Sequence, residues 1–532
     1  MRVRALVPAR RRGQAWSYGS LTERRMNAKP KERAPGAVCT SRLPCRLRVS
    51  PRRAGRRPNR SAKMGREFAT QLNQLLPPKA LGTWPAGFCL PTEPEMPEIS
   101  HGEPTLREAW RARKILIVAD HASARFGGEA ALPLHYFRVM RKMGIDVRMI
   151  THDRVEKELR EVLAGDFERL VFIKDNLAHI LLWRMGQLLP ARISYFTTGF
   201  VSRTITQWAQ RRLARRLVRE HGVDVVLQPM PVSPREPSLM YDVGAPVVIG
   251  PLNGNMQYPP GFKGTSSVVK TRIEGAARAF GEMLNTIFPG KRRAAAILVA
   301  NERTRAALPR NLLGRVFLLP ENGVDLSVWE KPRPDGESPA DEATHFVFMG
   351  RLVDWKAVDL LLHAFDRARI QHPMRLTILG DGPCGPTLRT LATELDIIGI
   401  ELGEVGRVHF AGWQSQLECA RQLRGSHALV LPSLSECGGA VVLEAMACGL
   451  PVIATAWGGP LDYLDDRTGV LVLPTSREAL ISGVADAMVR LAASPARRRE
   501  MGEAARRRIE ADFDWDKKVD AMLSIFEAVC RN

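Results

Sequence analysis

The 532-residue sequence lacks an uninterrupted run of about 18 apolar residues, so no segment is predicted to cross a membrane as a helix. Its eight cysteines include no Cys-x-x-Cys pair and no nearby histidines at zinc-ligand spacing, a pattern typical of a reducing compartment without structural zinc. Acidic side chains are scarce at one end: residues 1–66 contain 20 Lys and Arg but only two Glu.

This uneven charge decides what the net charge of +22 means. Residues 1–66 carry +18, and the other 466 residues carry only +4, with 58 basic and 54 acidic side chains. The basic segment is rich in Arg, Pro and Gly, so residues 1–105 are predicted to form a disordered basic tail and loop. It could be a targeting peptide, an arm for nucleic acid or anionic lipid, or an overextended start, with Met64 or Met96 as the initiator.

After the tail, buried strands alternate with helices. KILIVAD (114–120) begins one such series, and HFVFMG (345–350) begins a second after the polar Pro/Gly segment 331–343. Alternation of this kind predicts doubly wound parallel sheets in two Rossmann-like domains. The predicted units are a domain at 106–330, a linker at 331–343, a domain at 344–515 and an amphipathic C-terminal helix at 516–532.

The most informative segment is PSLSECGGAVVLEAMACGLPVIAT (432–455). Its small residues Gly438, Gly439 and Ala440 leave backbone N–H groups uncovered where a helix is predicted to begin, which favours an anion site. Glu436 lies before that helix and Glu444 on it, about 12 Å apart along the axis. That separation does not suit two carboxylates that act on one glycosidic bond, and it suits opposite ends of an elongated ligand.

The segment resembles the Glu-x7-Glu signature of the retaining glycosyltransferases of family 4, which have the GT-B fold with two facing domains and a cleft between them. The resemblance also implies that the C-terminal helix at 516–532 packs back on the first domain. The resemblance implies that Glu444 holds ribose hydroxyls, that Glu436 faces the donor sugar and that the 438–440 amides contact the diphosphate. The turn GRLVDWK (350–356) resembles the family turn whose Arg and Lys stabilise the departing phosphate. Arg351 and Lys356 inherit that role, and Gly350 belongs to the same donor-binding turn.

Two further glycine turns resemble family elements on the donor side. FGGEA (126–130) contributes Gly127 and Gly128 as a loop that closes over the ligands. ILGDGPCG (378–385) contributes Gly380 and Gly382. The same turn also matches the glycine pattern of dinucleotide-binding proteins. However, it follows the second strand of its unit rather than the first, and its prolines are expected to interrupt the start of the helix. NAD is therefore not expected.

The acceptor side carries weaker signals. PMPVSPREPSLM (229–240) and IGPLNGNMQYPPGF (249–262) resemble segments of a subgroup of bacterial family members and are expected to form the acceptor wall. Asn253 is a candidate on that wall, and His121 follows the first strand. The turn PENGVD (320–325) predicts a left-handed bend at Asn322 and Gly323 near the cleft. Segment 202–219 predicts a basic amphipathic helix, which suits either an anionic membrane or packing on the sheet.

The resemblance implies transfer of a hexosyl unit, with retention, from a nucleotide-diphospho-sugar to a saccharide or lipid-linked acceptor, in exopolysaccharide or glycolipid synthesis. It implies no metal and no further cofactor, and a cytoplasmic protein that can contact the inner face of the plasma membrane. Nucleic acid is not an expected partner of the body. The alternatives are an epimerase or phosphorylase of the same fold, or a non-catalytic protein that binds a sugar nucleotide or nucleic acid.

Overall fold

The computed structural model describes residues 106–124, 128–262, 281–331, 343–401 and 403–531, with the backbone alone at 191 and 192. The predicted tail (1–105), Gly127 and linker positions 332–342 lie outside these residues.

The first domain is built on seven parallel strands. They are β1 Lys114–Val118, β2 Asp146–His152, β3 Leu170–Ile173, β4 Val225–Gln228, β5 Val247–Leu252, β6 Ala296–Val299 and β7 Arg315–Leu318. Their spatial order is β3-β2-β1-β4-β5-β6-β7. Ile115 of β1 pairs with both Val147 of β2 and Val225 of β4, so β1 lies between these two strands. At β1 the order of the strands reverses, because β2 and β3 lie on one side of it and β4 to β7 lie on the other. Such a reversal creates a crevice at the carboxyl ends of the strands.

Helices cover both faces of this sheet. They are α1 Leu106–Arg111, α2 Leu132–Lys142, α3 Glu156–Val162, α4 Leu177–Gly186, α5 Ala191–Phe196, α6 Thr198–His221, α7 Gly290–Arg293 and α8 Glu302–Arg305. Local signals fix several ends: Asn176 and His179 form a capping box at the start of α4, and Gly222 ends α6 in the left-handed conformation.

The second domain contains six parallel strands in the order β10-β9-β8-β11-β12-β13. They are β8 Thr344–Met349, β9 Met374–Leu379, β10 Val408–Gly412, β11 Ala428–Leu431, β12 Val452–Thr455 and β13 Gly469–Val472. The helices are α9 Val358–Arg369, α10 Gly385–Glu394, α11 Gln416–Arg424, α12 Ala440–Ala447, α13 Pro460–Tyr463, α14 Arg477–Ala492, α15 Pro495–Asp512 and α16 Trp515–Cys530. The sequence prediction of two doubly wound parallel sheets is confirmed.

The last helix packs on the first domain. The apolar side of α16, which includes Val519, Met522 and Phe526, joins the core formed by Ile115, Phe137 and their neighbours. The chain therefore crosses between domains twice, and the crossings run side by side: Val324 N–H donates to Phe513 O at 2.8 Å, and Trp515 N–H donates to Val324 O at 3.3 Å.

Two local predictions are wrong. The turn after β9 does not interrupt a helix, because α10 begins at Gly385 with Pro386 in its first turn, where a missing N–H costs no intrahelical bond. Asn322 and Gly323 are not in the left-handed region. Glycine at 323 instead provides space, because a Cβ there would lie 2.6 Å from Lys518 Cδ.

Within the described residues, no single helix is long and apolar enough to cross a membrane. Helices α14 and α15 reach the required length and apolar composition only when they are taken as a pair, and the pair is bent by 103° at the junction.

Candidate active site

Lys356 and Glu436 meet at the carboxyl edge of the second sheet. Lys356 ends a short 3-10 turn after β8, and Glu436 lies in the loop after β11, the strand next to β8. The two loops are joined by a backbone hydrogen bond from Leu434 N–H to Trp355 O at 2.8 Å. The Lys356 ammonium donates to the Glu436 carboxylate, and both side chains are mostly buried. The structure therefore brings together the two residues that the sequence placed on the reacting end of the donor.

The loop after Glu436 turns on glycine. Gly439 has φ of 75°, and a Cβ there would lie 2.9 Å from Glu436 Cγ. Both the backbone conformation and the close approach therefore favour glycine. Helix α12 begins at the next residue, Ala440. The first N–H groups of a helix have no intrahelical partner, so this loop can present main-chain donors to an anion.

Gly438 lies against the crossing segment between the domains. A Cβ at this position would be 2.3 Å from Asn322 Nδ2 and 3.1 Å from Glu321 Oε2. Asn322 is itself held in place, because its amide donates to the Tyr463 hydroxyl at 3.2 Å. The glycine loop thus lies at the junction of both domains.

Glu321 is a buried acid that the sequence analysis did not single out. Its carboxylate accepts a hydrogen bond from Asn253 Nδ2 at 2.6 Å, and burial raises the pKa of Glu321 to about 7. Burial also lowers the pKa of Lys518 to about 7, and its ammonium donates to Pro320 O. Asn253 is almost fully buried and lies in this contact between the domains, so its side chain does not line an open acceptor wall.

Glu444 lies one turn further along α12 and is only partly exposed. Burial raises the pKa of Glu444 to about 7. Within the described chain its carboxyl makes no hydrogen bond or ion pair, although the neighbouring Val442 and Leu443 are fully buried. A carboxyl left without a partner in an apolar setting is available to ligand hydroxyls.

The turns after β8 and β9 interlock. Gly350 has φ of 155°, and a Cβ there would lie 3.8 Å from Lys356 Nζ. At Gly380 a Cβ would lie 2.0 Å from Gly350 O, and at Gly382 it would lie 2.4 Å from Leu352 O. Glycine at 380 and 382 is therefore required by the backbone packed against it, and a role in leaving room for a ligand is not needed to explain it.

Arg351 extends from the same pair of turns. Its side chain is exposed, and it makes no ion pair with any of the residues that the structure describes. Lys356 is thus held in place by its carboxylate partner, whereas Arg351 on the same turn is exposed to solvent.

The first domain contributes a second group at the end of β1. Asp120 accepts a hydrogen bond from Gln210, and burial raises the pKa of Asp120 to about 6. Next to it, burial lowers the pKa of His121, and the nearby Arg154 lowers it further. Gly128, with φ of 52°, has open space where its Cβ would be. Asp120 could have been found from the sequence, since it ends the buried strand KILIVAD at the crevice edge.

A polar cluster joins the two domains behind the glycine loop. Asp462 accepts from Asn301 Nδ2 at 2.8 Å and pairs with Arg303 at 3.5 Å. Arg303 also donates to Cys437 O at 3.4 Å, and burial raises the pKa of Asp462 to about 6. This cluster could not be predicted from the sequence, because its contacts join segments that are far apart in the chain.

The chain is similar to known proteins in part of its sequence and in its fold. Residues 332–508 match the family described as "Glycosyl transferases group 1". Solved structures with a similar backbone include a sucrose-phosphate synthase from Thermosynechococcus elongatus (21% identity, TM-score 0.52, 78% of this chain and 99% of that one). Another is HepE from Anabaena in complex with UDP (15% identity, TM-score 0.52, 78% and 100%). The fold is GT-B.

Similarity at the sequence level is confined to part of the chain. D-inositol 3-phosphate glycosyltransferase of Mycobacteroides abscessus is 36% identical over 211 residues, which are 38% of this chain and 44% of that protein. The enzyme of the same name from Gordonia bronchialis is 37% identical over 185 residues, or 34% and 39%. The match thus spans less than half the length of these curated relatives. The family description and these names are those of transferases, and they support a transferase enzyme.

Proposed function

We propose that this GT-B protein transfers a hexosyl unit from a nucleotide-diphospho-sugar to an acceptor hydroxyl, with retention of configuration at the anomeric carbon. The observation that carries the proposal is the contact between Lys356 and Glu436 beside the glycine-led start of α12. It places a fixed cation, a carboxylate and main-chain donors within one loop pair. This set of groups suits a sugar-nucleotide diphosphate, and HepE, a protein with the same fold, was solved with UDP-glucose.

In the proposed reaction the bond between the anomeric carbon and the diphosphate oxygen breaks, and a bond from the acceptor oxygen to the same carbon forms. The acceptor proton passes to the departing phosphate oxygen on the same face. Lys356, Arg351 and the amides at 438–440 stabilise the charge that accumulates on that phosphate. No metal takes part in this scheme.

Glu436 and Glu444 have different parts in it. In the structure Glu436 pairs with Lys356; when a diphosphate binds Lys356, the carboxylate becomes free to accept hydrogen bonds from sugar hydroxyls. Glu444 binds the ribose hydroxyls. We therefore expect Glu436→Ala to lower turnover with little change in nucleotide affinity, and Glu444→Ala to weaken nucleotide binding. Equal and mild effects of both changes on both quantities would contradict these roles.

The acceptor enters from the first domain, where Asp120 and His121 face the crevice edge of β1. The acceptor is a saccharide or a lipid-linked hydroxyl compound, consistent with polysaccharide or glycolipid synthesis.

The experiment is a thermal-shift panel of UDP-, GDP- and ADP-sugars on the full chain, followed by release of nucleoside diphosphate with a saccharide panel. A ligand at about 100 times its Kd should stabilise the protein by about 2.7 kcal/mol. Activity should survive EDTA, and NMR of the product should show the donor's anomeric configuration. If no sugar nucleotide raises the melting temperature, the proposal fails. If the donor is converted into an isomeric nucleotide-sugar without any acceptor and without net release of nucleoside diphosphate, the reaction is an epimerisation instead.

A further inference from the structure

Exposed apolar side chains are concentrated on one part of the first domain. Of the 22 large apolar residues exposed in the described chain, twelve lie in the 32-residue segment 177–208, which comprises α4, α5 and the first half of α6. The six most exposed of these are Leu188 (86%), Leu177 (85%), Phe196 (73%), Leu181 (59%), Trp208 (52%) and Ile193 (50%). We call these side chains and their neighbours the 177–208 surface. The three helices pack against one another, so these exposed side chains lie on one part of the domain, and a concentration of exposed apolar side chains marks an interaction site.

The helices that form this surface bury small and polar side chains and expose apolar ones, which is the reverse of the usual arrangement in a water-soluble domain. In α4 only His179 and Gly186 are buried. His179 Nε2 lies 3.1 Å from Thr206 Oγ1, and a Cβ at Gly186 would be 2.6 Å from Ser194 Oγ. Small and polar residues thus fill the contacts between helices while Leu, Ile, Trp and Phe point outward. A helix in water buries its apolar side, whereas helices that contact lipid have this arrangement.

The charge around the surface indicates the partner. Residues 177–219 contain eight arginines and no Asp or Glu. Arg184 is exposed on α4, and Arg212 is exposed on α6 with its guanidinium 4.9 Å from the Trp208 ring. Segment 177–208 itself contains Arg184, Arg192 and Arg203, so a second copy of the surface would bring three more arginines against these, and the tail at 1–66 is also strongly basic. Anionic headgroups complement this charge, and the apolar side chains suit the acyl boundary below them.

The position of the surface also matters. Helix α4 starts just after β3 ends, and Gln210 of α6 donates to Asp120 at the end of β1. The surface therefore adjoins the crevice edge of the first sheet. The ten residues of α4 span about 15 Å, half the hydrocarbon thickness of a bilayer, so the helix suits the plane of the interface.

We propose that the 177–208 surface docks this protein onto an anionic lipid bilayer by inserting its apolar side chains, with the crevice edge of the first domain facing the membrane. The sequence had suggested residues 202–219 for such a contact. In the structure Ala214, Leu217 and Val218 of that segment are buried against the first sheet, so the apolar contact lies upstream. The proposal does not depend on the reaction that the site performs.

The test uses the full chain and sedimentation with phosphatidylcholine vesicles that contain or lack phosphatidylglycerol. The variant is Leu181→Glu, Leu188→Glu and Phe196→Glu together. The control is Leu313→Glu, Ile370→Glu and Leu417→Glu, three side chains that are 80%, 79% and 72% exposed elsewhere on the molecule. Both variants change the net charge equally, so a difference in vesicle binding between them cannot result from the net charge.

High salt distinguishes insertion of apolar side chains into the bilayer from electrostatic attraction of the basic tail to it. The Debye length falls from about 10 Å at 0.1 M to about 3 Å at 1 M, so only the electrostatic attraction is screened. We expect the wild type and the control to stay on phosphatidylglycerol vesicles in about 1 M salt, and the 181/188/196 variant to lose at least about tenfold in partitioning. Equal partitioning of wild type and variant at both salt concentrations would overturn the proposal. So would a wild-type dimer without lipid that the variant converts to a monomer, since a second copy would then be the occupant.

Discussion

Gly438 and Asn322 approach each other so closely that a Cβ at position 438 would lie 2.3 Å from the Asn322 amide nitrogen. This contact connects the loop between Glu436 and α12 to the segment that joins the domains. Asn322 is buried and bonded to Tyr463, so it cannot easily move aside.

Gly438→Ala should therefore displace the loop. We expect a stability loss of about 1–3 kcal/mol from overpacking, and about tenfold weaker binding of the preferred nucleotide, because the amides next to the clash move. Thermal melting and nucleotide titration measure both effects. The control is Gly165→Ala, a position where a Cβ would meet no atom within 4 Å. Unchanged nucleotide affinity in Gly438→Ala would show that the loop does not touch the ligand.

Lys356→Met tests the fixed cation. The change keeps most of the side-chain volume but removes the charge, and it leaves the mostly buried Glu436 without its partner. We expect kcat to fall by about 100-fold or more, as when one preorganised group that stabilises a developing anion is lost. Steady-state release of nucleoside diphosphate measures this. Arg477→Gln breaks an exposed ion pair with Asp359 in the same domain and should leave kcat unchanged. A fall of less than about threefold in Lys356→Met would remove Lys356 from the reaction.

Glu444→Gln tests the carboxyl without a partner. Burial raises the pKa of Glu444 to about 7, whereas the unfolded value is about 4.3. Between these pH values the folded protein holds a proton that the unfolded chain has released. The stability contributed by this group is therefore present in full below about pH 4.3 and is lost as the pH rises through about 7.

The free energy of unfolding of the wild type should thus fall by about 1–3 kcal/mol more than that of Glu444→Gln between pH 5 and pH 8. Urea unfolding across this range provides the measurement. Glu500→Gln, at an exposed carboxyl on α15, should follow the wild-type curve. Parallel curves for Glu444→Gln and the wild type would mean that the pKa of Glu444 is close to its ordinary value.

The doubly wound fold could be predicted from the sequence because each of its signals is local. KILIVAD, HFVFMG and ALVLPS are short buried strands, and their alternation with helices specifies parallel sheets before any contact is known. The residues Lys356 and Glu436 were also named from their motifs, since each follows a strand whose carboxyl edge borders the cleft.

What the sequence did not reveal depends on contacts between distant segments. Arg303 and Asp462 lie far apart in the chain, and neither belongs to a motif. Glu321 lies in the PENGVD turn, but its contacts depend on Asn253 and Lys518, which come from two other segments. Gly323 was interpreted as a bend, although the side chains of α16, nearly 200 residues away, are what require glycine there.

Arg303→Gln tests the contact between the domains. The change leaves the largely buried Asp462 with Asn301 alone and removes the bond to Cys437 O. We expect a loss of about 2–4 kcal/mol in stability and a larger radius of gyration in the absence of nucleotide, since a buried acid loses its cation. Calorimetry and small-angle scattering measure these quantities. Arg305→Gln removes a neighbouring exposed pair with Glu302 and should change neither. Identical scattering from Arg303→Gln and the wild type would show that this cluster does not hold the domains together.

The two chain crossings restrict how the halves of this molecule can move. Val324 bonds to the backbone of both Phe513 and Trp515, so the crossings form a single narrow pivot, and α16 is anchored in the core of the domain opposite the one it leaves. Sliding one half past the other would break these bonds, whereas rotation about the pivot would not. A fragment that ends before Trp515 would lack Met522 and Phe526, which fill part of the core of the first domain.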